Sequence, residues 1–226
     1  MAKKIVKRKK IRIFRLLLLL LILGTIVFFA YRFIKTSTKN IIITGNKYLN
    51  DEEVLQIAKL SDYPSFMMIL PSKIEKRLEN NKYIKEAVVK RKLYYTVTIK
   101  IKEYDVLLFN DNTHKYVLDN KEEIESDKNI RVPRLVNYTP DEKYKKLIDD
   151  IGEVDKSILG KISEISYDPN DYDKDRFLLL MDDGNSVFLT LTKFEMINYY
   201  NEVLGQLEGK KGILYLDSGN HFKIME

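Results

Sequence analysis

The sequence predicts an α+β protein: a single N-terminal transmembrane helix, then a β-α-α-β-β unit, then a mixed, β-rich C-terminal domain. Three observations lead there. Residues 16–31 carry no charge and directly follow a basic run. Two runs between 87 and 102 alternate apolar and polar residues with period 2, the mark of an antiparallel hairpin with one wet face. Beyond residue 105 short β-rich runs recur, two of them joined through Asp183-Gly184, a strong hairpin turn.

The first element is "RLLLLLLILGTIVFFAYRF". Counted from Ile13 to Ile34, with Arg15 and Arg32 reaching toward the headgroups, the apolar stretch is 22 residues long. At 1.5 Å per residue it covers about 33 Å, enough for a hydrocarbon core of roughly 30 Å. Phe28, Phe29 and Tyr31 stand where an interfacial aromatic belt belongs. A cleaved signal peptide is the rival reading. Its apolar region would be shorter and followed by an A-x-A site, whereas in the pair Phe28 and Ala30 the first position is not small. The reading is therefore an uncleaved anchor at 13–34 behind a basic tail at 1–12. Eight Lys/Arg precede Leu16 and two follow Tyr31, which predicts a cytoplasmic N-terminus and an extracytoplasmic remainder.

This asymmetry also accounts for the overall charge. Ten of the 39 Lys/Arg and none of the 33 Asp/Glu lie in residues 1–35, so the rest carries 29 basic against 33 acidic residues. The net charge of +6 thus belongs to the anchor end, and the pattern argues against nucleic acid as a partner. With no cysteine, disulfides, thiol chemistry and Cys-ligated zinc are excluded.

The β-α-α-β-β unit begins with "NIIITGNKYLNDEEVLQIAKL". Ile41 to Thr44 reads as a strand broken by Gly45-Asn46. Asn50 and Glu53 suit a capping box, with Asp51 and Glu52 favouring the positive helix end. After "SDYPSFMMILP", Ser72 with Glu75 reads as the cap of a second helix whose apolar side holds Ile74 and Leu78. The hairpin follows, with Val97, Ile99 and Ile101 on one face and Thr98, Lys100 and Lys102 on the other.

At this point the chain resembles the FtsQ/DivIB family of bacterial cell-division proteins. The resemblance rests on "I-x-x-G-N-x-x-L" (Ile42, Gly45, Asn46, Leu49), on "YIKEAVVKRKL" and on "VTIKIKEYDVLLF", all in a unit just beyond a basic tail and one anchor. In that family the unit is a POTRA domain, its hairpin usually turns near a proline, and it ends on a glutamate. Glu103 matches, while Tyr94 and Tyr95 occupy the turn. The resemblance implies a POTRA domain at 35–104 and a C-terminal β-domain at 105–226, with the first hairpin strand at a sheet edge, where Lys90 and Lys92 would discourage stray pairing.

The C-terminal part reads as strands at "VLLFN" and "HKYVLDN", a polar helix from about Asp141 to Ile151 and a short helix before Ile162. Strands follow at "ISEISYD" and on both sides of Asp183-Gly184. Thr192 with Glu195 suggests a capping box for a helix whose apolar face holds Phe194, Ile197, Tyr200, Leu204 and Leu207. "KGILYLD" and "NHFKIM" read as the last two strands. Their order resembles the C-terminal domain of the same family.

Chemistry-bearing constellations are sparse. Asp171, Asp173, Asp175 and Asp182 fall near calcium-loop spacing, but Arg176 occupies the position that needs glycine, so a solvated loop is expected. Asp182-Asp183 reads as a turn. His114 and His221 lack partners for metal or nucleophile activation and read as strand-surface residues. The fifteen tyrosines suit amphipathic packing or an interface. The expectation is no enzyme, catalytic residue, cofactor, metal or small-molecule substrate. The family resemblance implies a bitopic scaffold at the division septum, with FtsL and FtsB/DivIC as partners. Strand addition to the C-terminal sheet is the expected mode, with Tyr215, Phe222 and Ile224 as contact residues. Two other classes stay open: a membrane-anchored POTRA protein for translocation or envelope assembly, and an envelope ligand sensor.

Overall fold

The computed structural model describes residues 13–207 and 209–225; the basic tail expected at 1–12 lies outside the described residues. The chain forms two compact units that divide between Glu103 and Tyr104.

The first unit opens with α1, Ile13–Ile34, none of whose side chains is covered by protein. A helix apolar all round belongs in a protein core or a membrane, and this one is long and apolar enough to cross a membrane. Next come β1 (Asn40–Thr44), α2 (Asp51–Ala58), a 3₁₀ turn (Phe66–Met68), α3 (Pro71–Glu79), β2 (Ile84–Lys92) and β3 (Thr96–Glu103). The sheet order is β1-β3-β2, with β1 parallel and β2 antiparallel to the central β3. Val97, Ile99 and Ile101 are buried, as are Val54, Ala58, Ile74 and Leu78 of the two helices.

Local chemistry explains these elements. The Asn50 side chain accepts from the Glu53 N–H at 2.8 Å, and Glu53 accepts from the Asn50 N–H at 2.8 Å, so the capping box read from the sequence is formed. Gly45 has φ of +87°, and a Cβ there would collide with the Ile101 carbonyl, so only glycine fits. The buried Glu103 carboxylate accepts from the Tyr48 N–H at 2.6 Å and the Leu49 N–H at 3.2 Å, tying the turn after β1 to the end of β3.

The second helix differs from its sequence reading. It starts at Pro71 with Leu70 in the cap position, because proline's fixed φ suits the first helical turn. Ser72 is therefore inside the helix. Glu75 does not complete a box but accepts from the Val89 N–H of β2 at 2.8 Å, and Glu79 accepts from the Ala87 N–H at 3.2 Å. Two helix carboxylates thus occupy donors on the outer edge of β2.

The second unit contains β4 (Val106–Asn110), β5 (Lys115–Leu118), β6 (Glu123–Ile124), β7 (Arg134–Leu135), α4 (Asp141–Gly152), α5 (Lys156–Leu159) and β8 (Ile162–Tyr167). It continues with β9 (Arg176–Met181), β10 (Ser186–Thr190), a 3₁₀ segment (Leu191–Tyr199), α6 (Tyr200–Gln206), β11 (Gly212–Tyr215) and β12 (His221–Ile224). The described strands form one sheet of nine in the order β12-β11-β10-β9-β8-β7-β4-β5-β6. One face is covered by Leu147, Ile148 and Ile151 of α4 and by Phe194, Ile197 and Tyr200, which pack with Phe177, Leu179, Val187, Leu189 and Leu214.

Two readings change here. The helix expected after Thr192 is a 3₁₀ segment with a non-helical break at Lys193 (φ −135°, ψ 28°), and regular α-helix begins only at Tyr200. Packing decided this: Leu191, Phe194 and Ile197 all reach the core, which a 3₁₀ twist allows at three-residue spacing. His114 lies in the β4–β5 turn with φ of 56°, not on a strand.

Candidate partner-binding edge

The C-terminal end of the large sheet is assembled from β9 to β12. The β9–β10 hairpin turns through Asp183-Gly184, and the segment 191–206 carries the chain across so that β11 pairs parallel to β10. β12 then returns antiparallel to β11, with Gly212 opposite Ile224, Leu214 opposite Phe222 and Tyr215 opposite His221.

A buried polar cluster sets where β11 begins. The Tyr200 hydroxyl donates to Asp183 Oδ2 at 2.8 Å and accepts from Asn185 Nδ2 at 3.1 Å. Asn185 Oδ1 in turn accepts from the Gly212 N–H at 2.8 Å. Lys211 Nζ donates to the Asp183 carbonyl. Burial, then the Asp183 carboxylate, push the Tyr200 hydroxyl above the usual tyrosine range, so it remains a donor at every physiological pH.

Gly212 is needed for space. A Cβ there would collide with the Lys223 carbonyl oxygen and come within 2.7 and 2.8 Å of the Phe222 ring. The absent side chain lets the Phe222 ring lie over β11 and pack on the edge of the core.

The opposite sheet face carries a row of rings. Phe188 stacks on Tyr215 (centroids 5.4 Å, 25°), and Tyr215 stacks on His221 (4.7 Å, 8°). Arg176 lies 3.6 Å above the Phe188 ring and is held by Asp217 at 2.8 Å and Asp168 at 2.6 Å. These contacts bind β12 to β11 from a second side.

The edge itself follows from ladder geometry. The Met225 N–H donates to the Lys211 carbonyl at 3.0 Å, which makes 211 and 225 a hydrogen-bonded pair. Antiparallel pairs alternate, so 213 with 223 and 215 with 221 are hydrogen-bonded as well. The N–H and C=O groups of Phe222 and Ile224 therefore face outward, away from β11. Among the described residues no strand lies on that side.

The structure places the three residues singled out by the sequence around this strand, on different faces. Tyr215 belongs to the aromatic row. Phe222 is half-buried on the core side, and Ile224, on that same side, is 50% exposed. Sequence reasoning missed Phe188, Arg176 and His221, which share a face only once β9 to β12 are in register. It also missed Gly212 and Asn185. The run Asp183-Gly184-Asn185 signalled a turn, but not that Asn185 would cap another strand.

Two of the acidic candidates have local duties. Asp173 accepts from the Asp175 N–H at 2.8 Å, and Asp175 pairs with Lys143.

Comparison with known proteins adds a lineage to this geometry. The model of the POTRA domain, FtsQ-type, matches residues 36–104. Cell division protein DivIB of Bacillus subtilis is 29% identical over 196 residues, covering 84% of this chain and 74% of that protein. DivIB of Listeria monocytogenes is 28% identical over 232 residues, covering 98% and 85%. The solved major extracytoplasmic domain of DivIB from Geobacillus stearothermophilus, in its trans isomer, is similar at 21% identity with a TM-score of 0.39. That likeness covers 47% of this chain and 96% of the solved one.

Proposed function

We propose that this chain, which belongs to the FtsQ/DivIB family of bacterial cell-division proteins, captures its division partners by adding their backbone to β12. The family is a division scaffold rather than an enzyme, and the chain is a single-pass membrane protein with an extracytoplasmic part. The finer reading has the N-terminus in the cytoplasm and a tail at 1–12, an anchor at 13–34, a POTRA domain at 35–104 and a β-domain at 105–226. At the septum the β-domain recruits proteins of the FtsL and FtsB/DivIC type.

The observation that carries this is the contrast between β12 and two other edges, β2 and β6. β2 is an edge strand whose Ala87 and Val89 donors are taken by Glu79 and Glu75. β6 is only two residues long. β12 presents outward backbone at Phe222 and Ile224 beside an exposed Ile224 side chain. An uncovered edge with apolar flanks is a template for a partner strand, and its side chains choose the partner.

The test uses the full chain co-purified with FtsL- and DivIC-type proteins. Ile224→Pro deletes one outward N–H while leaving the inward ladder intact, a position where an edge strand tolerates proline. Affinity should fall about tenfold, the worth of one well-made hydrogen bond at an interface, and further than for Ile224→Ala. Ile224→Pro binding as tightly as the parent chain would refute strand addition at β12.

A further inference from the structure

The hairpin turn between β2 and β3 is unusual in a way that partner recruitment does not use. Tyr94 and Tyr95 both have left-handed backbone, with φ of 60° and 57°. Asparagine and glycine adopt that conformation at less cost. Tyr95 gains packing in return: its ring meets Phe66 edge-on at 5.6 Å, with Lys39 at 5.7 Å from the Tyr95 ring and Arg91 at 5.9 Å from the Phe66 ring. Leu93 and Tyr94 gain no such packing and stand 81% and 84% exposed. Met68, in the 3₁₀ turn that carries Phe66, is 73% exposed. Large apolar side chains held out on a strained turn call for an apolar environment that the protein does not supply.

Their position supplies it. The Phe66 N–H donates to the Thr36 carbonyl at 3.0 Å, two residues beyond the end of α1, and the Ser65 hydroxyl donates to the Ile34 carbonyl. The Lys39 N–H donates to the Tyr95 carbonyl at 2.9 Å. Two extended residues reach about 7 Å, comparable to the roughly 5–7 Å headgroup layer on each side of a bilayer core. The 3₁₀ turn is thus pinned at headgroup depth, and the Tyr94–Tyr95 turn is bonded to the same linker. The charges agree: the segments 31–39, 61–70 and 90–96 hold Arg32, Lys35, Lys39, Lys90, Arg91 and Lys92 against one acid, Asp62.

We infer that Met68, Leu93 and Tyr94 form a membrane-seating tip that inserts into the headgroup layer of an anionic bilayer, with the surrounding lysines and arginines on lipid phosphates. Tyrosine suits that depth because its ring is apolar and its hydroxyl stays wet. Seating would hold the first extracytoplasmic unit against the membrane by a second contact beside the anchor.

The chain has no tryptophan or cysteine, so single reporters are clean. The full chain is reconstituted into phosphatidylglycerol-containing vesicles as Tyr94→Trp. Tyr172→Trp is the aqueous reference, since Tyr172 is fully exposed in the second unit. Tyr94→Trp should emit to the blue of the reference, and brominated-chain lipids should quench it at least about twofold more strongly. Adding Leu93→Asp, or changing to purely zwitterionic lipid, should reduce both effects. Nitroxide attached at Leu93→Cys, read by oxygen against a water-soluble nickel chelate, gives the same depth without a new ring. Aqueous emission with reference-level lipid quenching overturns the proposal. Shielding from acrylamide without lipid quenching also overturns it, because a protein then covers the tip. Equal quenching in zwitterionic lipid overturns the anionic requirement.

Discussion

Gly212→Ala tests the candidate edge most directly. The added methyl would collide with the Lys223 carbonyl and approach the Phe222 ring at 2.7–2.8 Å. The ring can rotate away, but the carbonyl belongs to the ladder and can yield only if β12 shifts. Overpacking of one methyl costs about 1–3 kcal/mol when the surroundings move part-way. Complete release would forfeit the inward bonds of the 211/225, 213/223 and 215/221 pairs, at a net worth of roughly 1 kcal/mol each, plus the packing of Phe222. A shifted strand is the cheaper outcome, so the cost should fall on local opening of β12 rather than on the whole unit. In hydrogen exchange the inward amides of Lys223 and Met225 should lose roughly 10- to 100-fold protection, since 1.4 kcal/mol is a factor of ten. Global unfolding should barely move. Gly212→Ala/Phe222→Ala should recover only part of the loss, because the carbonyl conflict persists. Parental protection at Lys223 and Met225 in Gly212→Ala would refute the close approach, and with it the geometry assigned to the edge.

Three further outcomes follow from the same structure. Glu103→Ala strands the Tyr48 and Leu49 N–H groups and should cost about 2–4 kcal/mol, read as faster exchange at 45–49 and a lower Tm of the first unit. Tyr200→Phe removes the donor to Asp183 and should cost about 2 kcal/mol. In the parent chain unfolded Tyr200 ionises near 10 while the folded hydroxyl does not, so stability should fall above pH 10, less steeply in Tyr200→Phe. Burial raises the Asp150 carboxyl above its ordinary 3.8, so its ionisation opposes folding above the folded pKa and not below 3.8. Asp150→Asn should therefore stabilise at pH 7 by about 0.5 kcal/mol, a figure kept small because the group is partly exposed, and urea titrations should lose that gain as pH falls to 3.8.

Much of the architecture was legible in the sequence because its causes are local. The uncharged run at 16–31, the Asn50/Glu53 box, the alternation through 97–102 and the Asp183-Gly184 turn each act within a few residues, and each element formed. The failures have two causes. For Thr192 and His114 the conformation answers to neighbours in space, with Phe194 and Ile197 reaching the core and a tight loop between paired strands, whereas for Ser72 a stronger local signal wins, Pro71 at the first helical position. Tyr94-Tyr95 stands out in the sequence, but its left-handed backbone and its tie to Lys39 belong to the tertiary structure.

The candidate site divides the same way. The two terminal strands were legible because strand propensity is a property of the run itself, whereas the three positions Tyr215, Phe222 and Ile224 came from the resemblance to the family's C-terminal domain. Only the tertiary structure decided that β12 lies at the sheet edge, that the backbone of Phe222 and Ile224 faces outward, and that Tyr215 turns to the other face. Only it showed α3 carboxylates closing the β2 edge. Strand order and ladder phase are set by which residues pair at a distance in sequence, such as Val187 with Leu214 across 27 positions, and that pairing is decided by core packing rather than by any local preference.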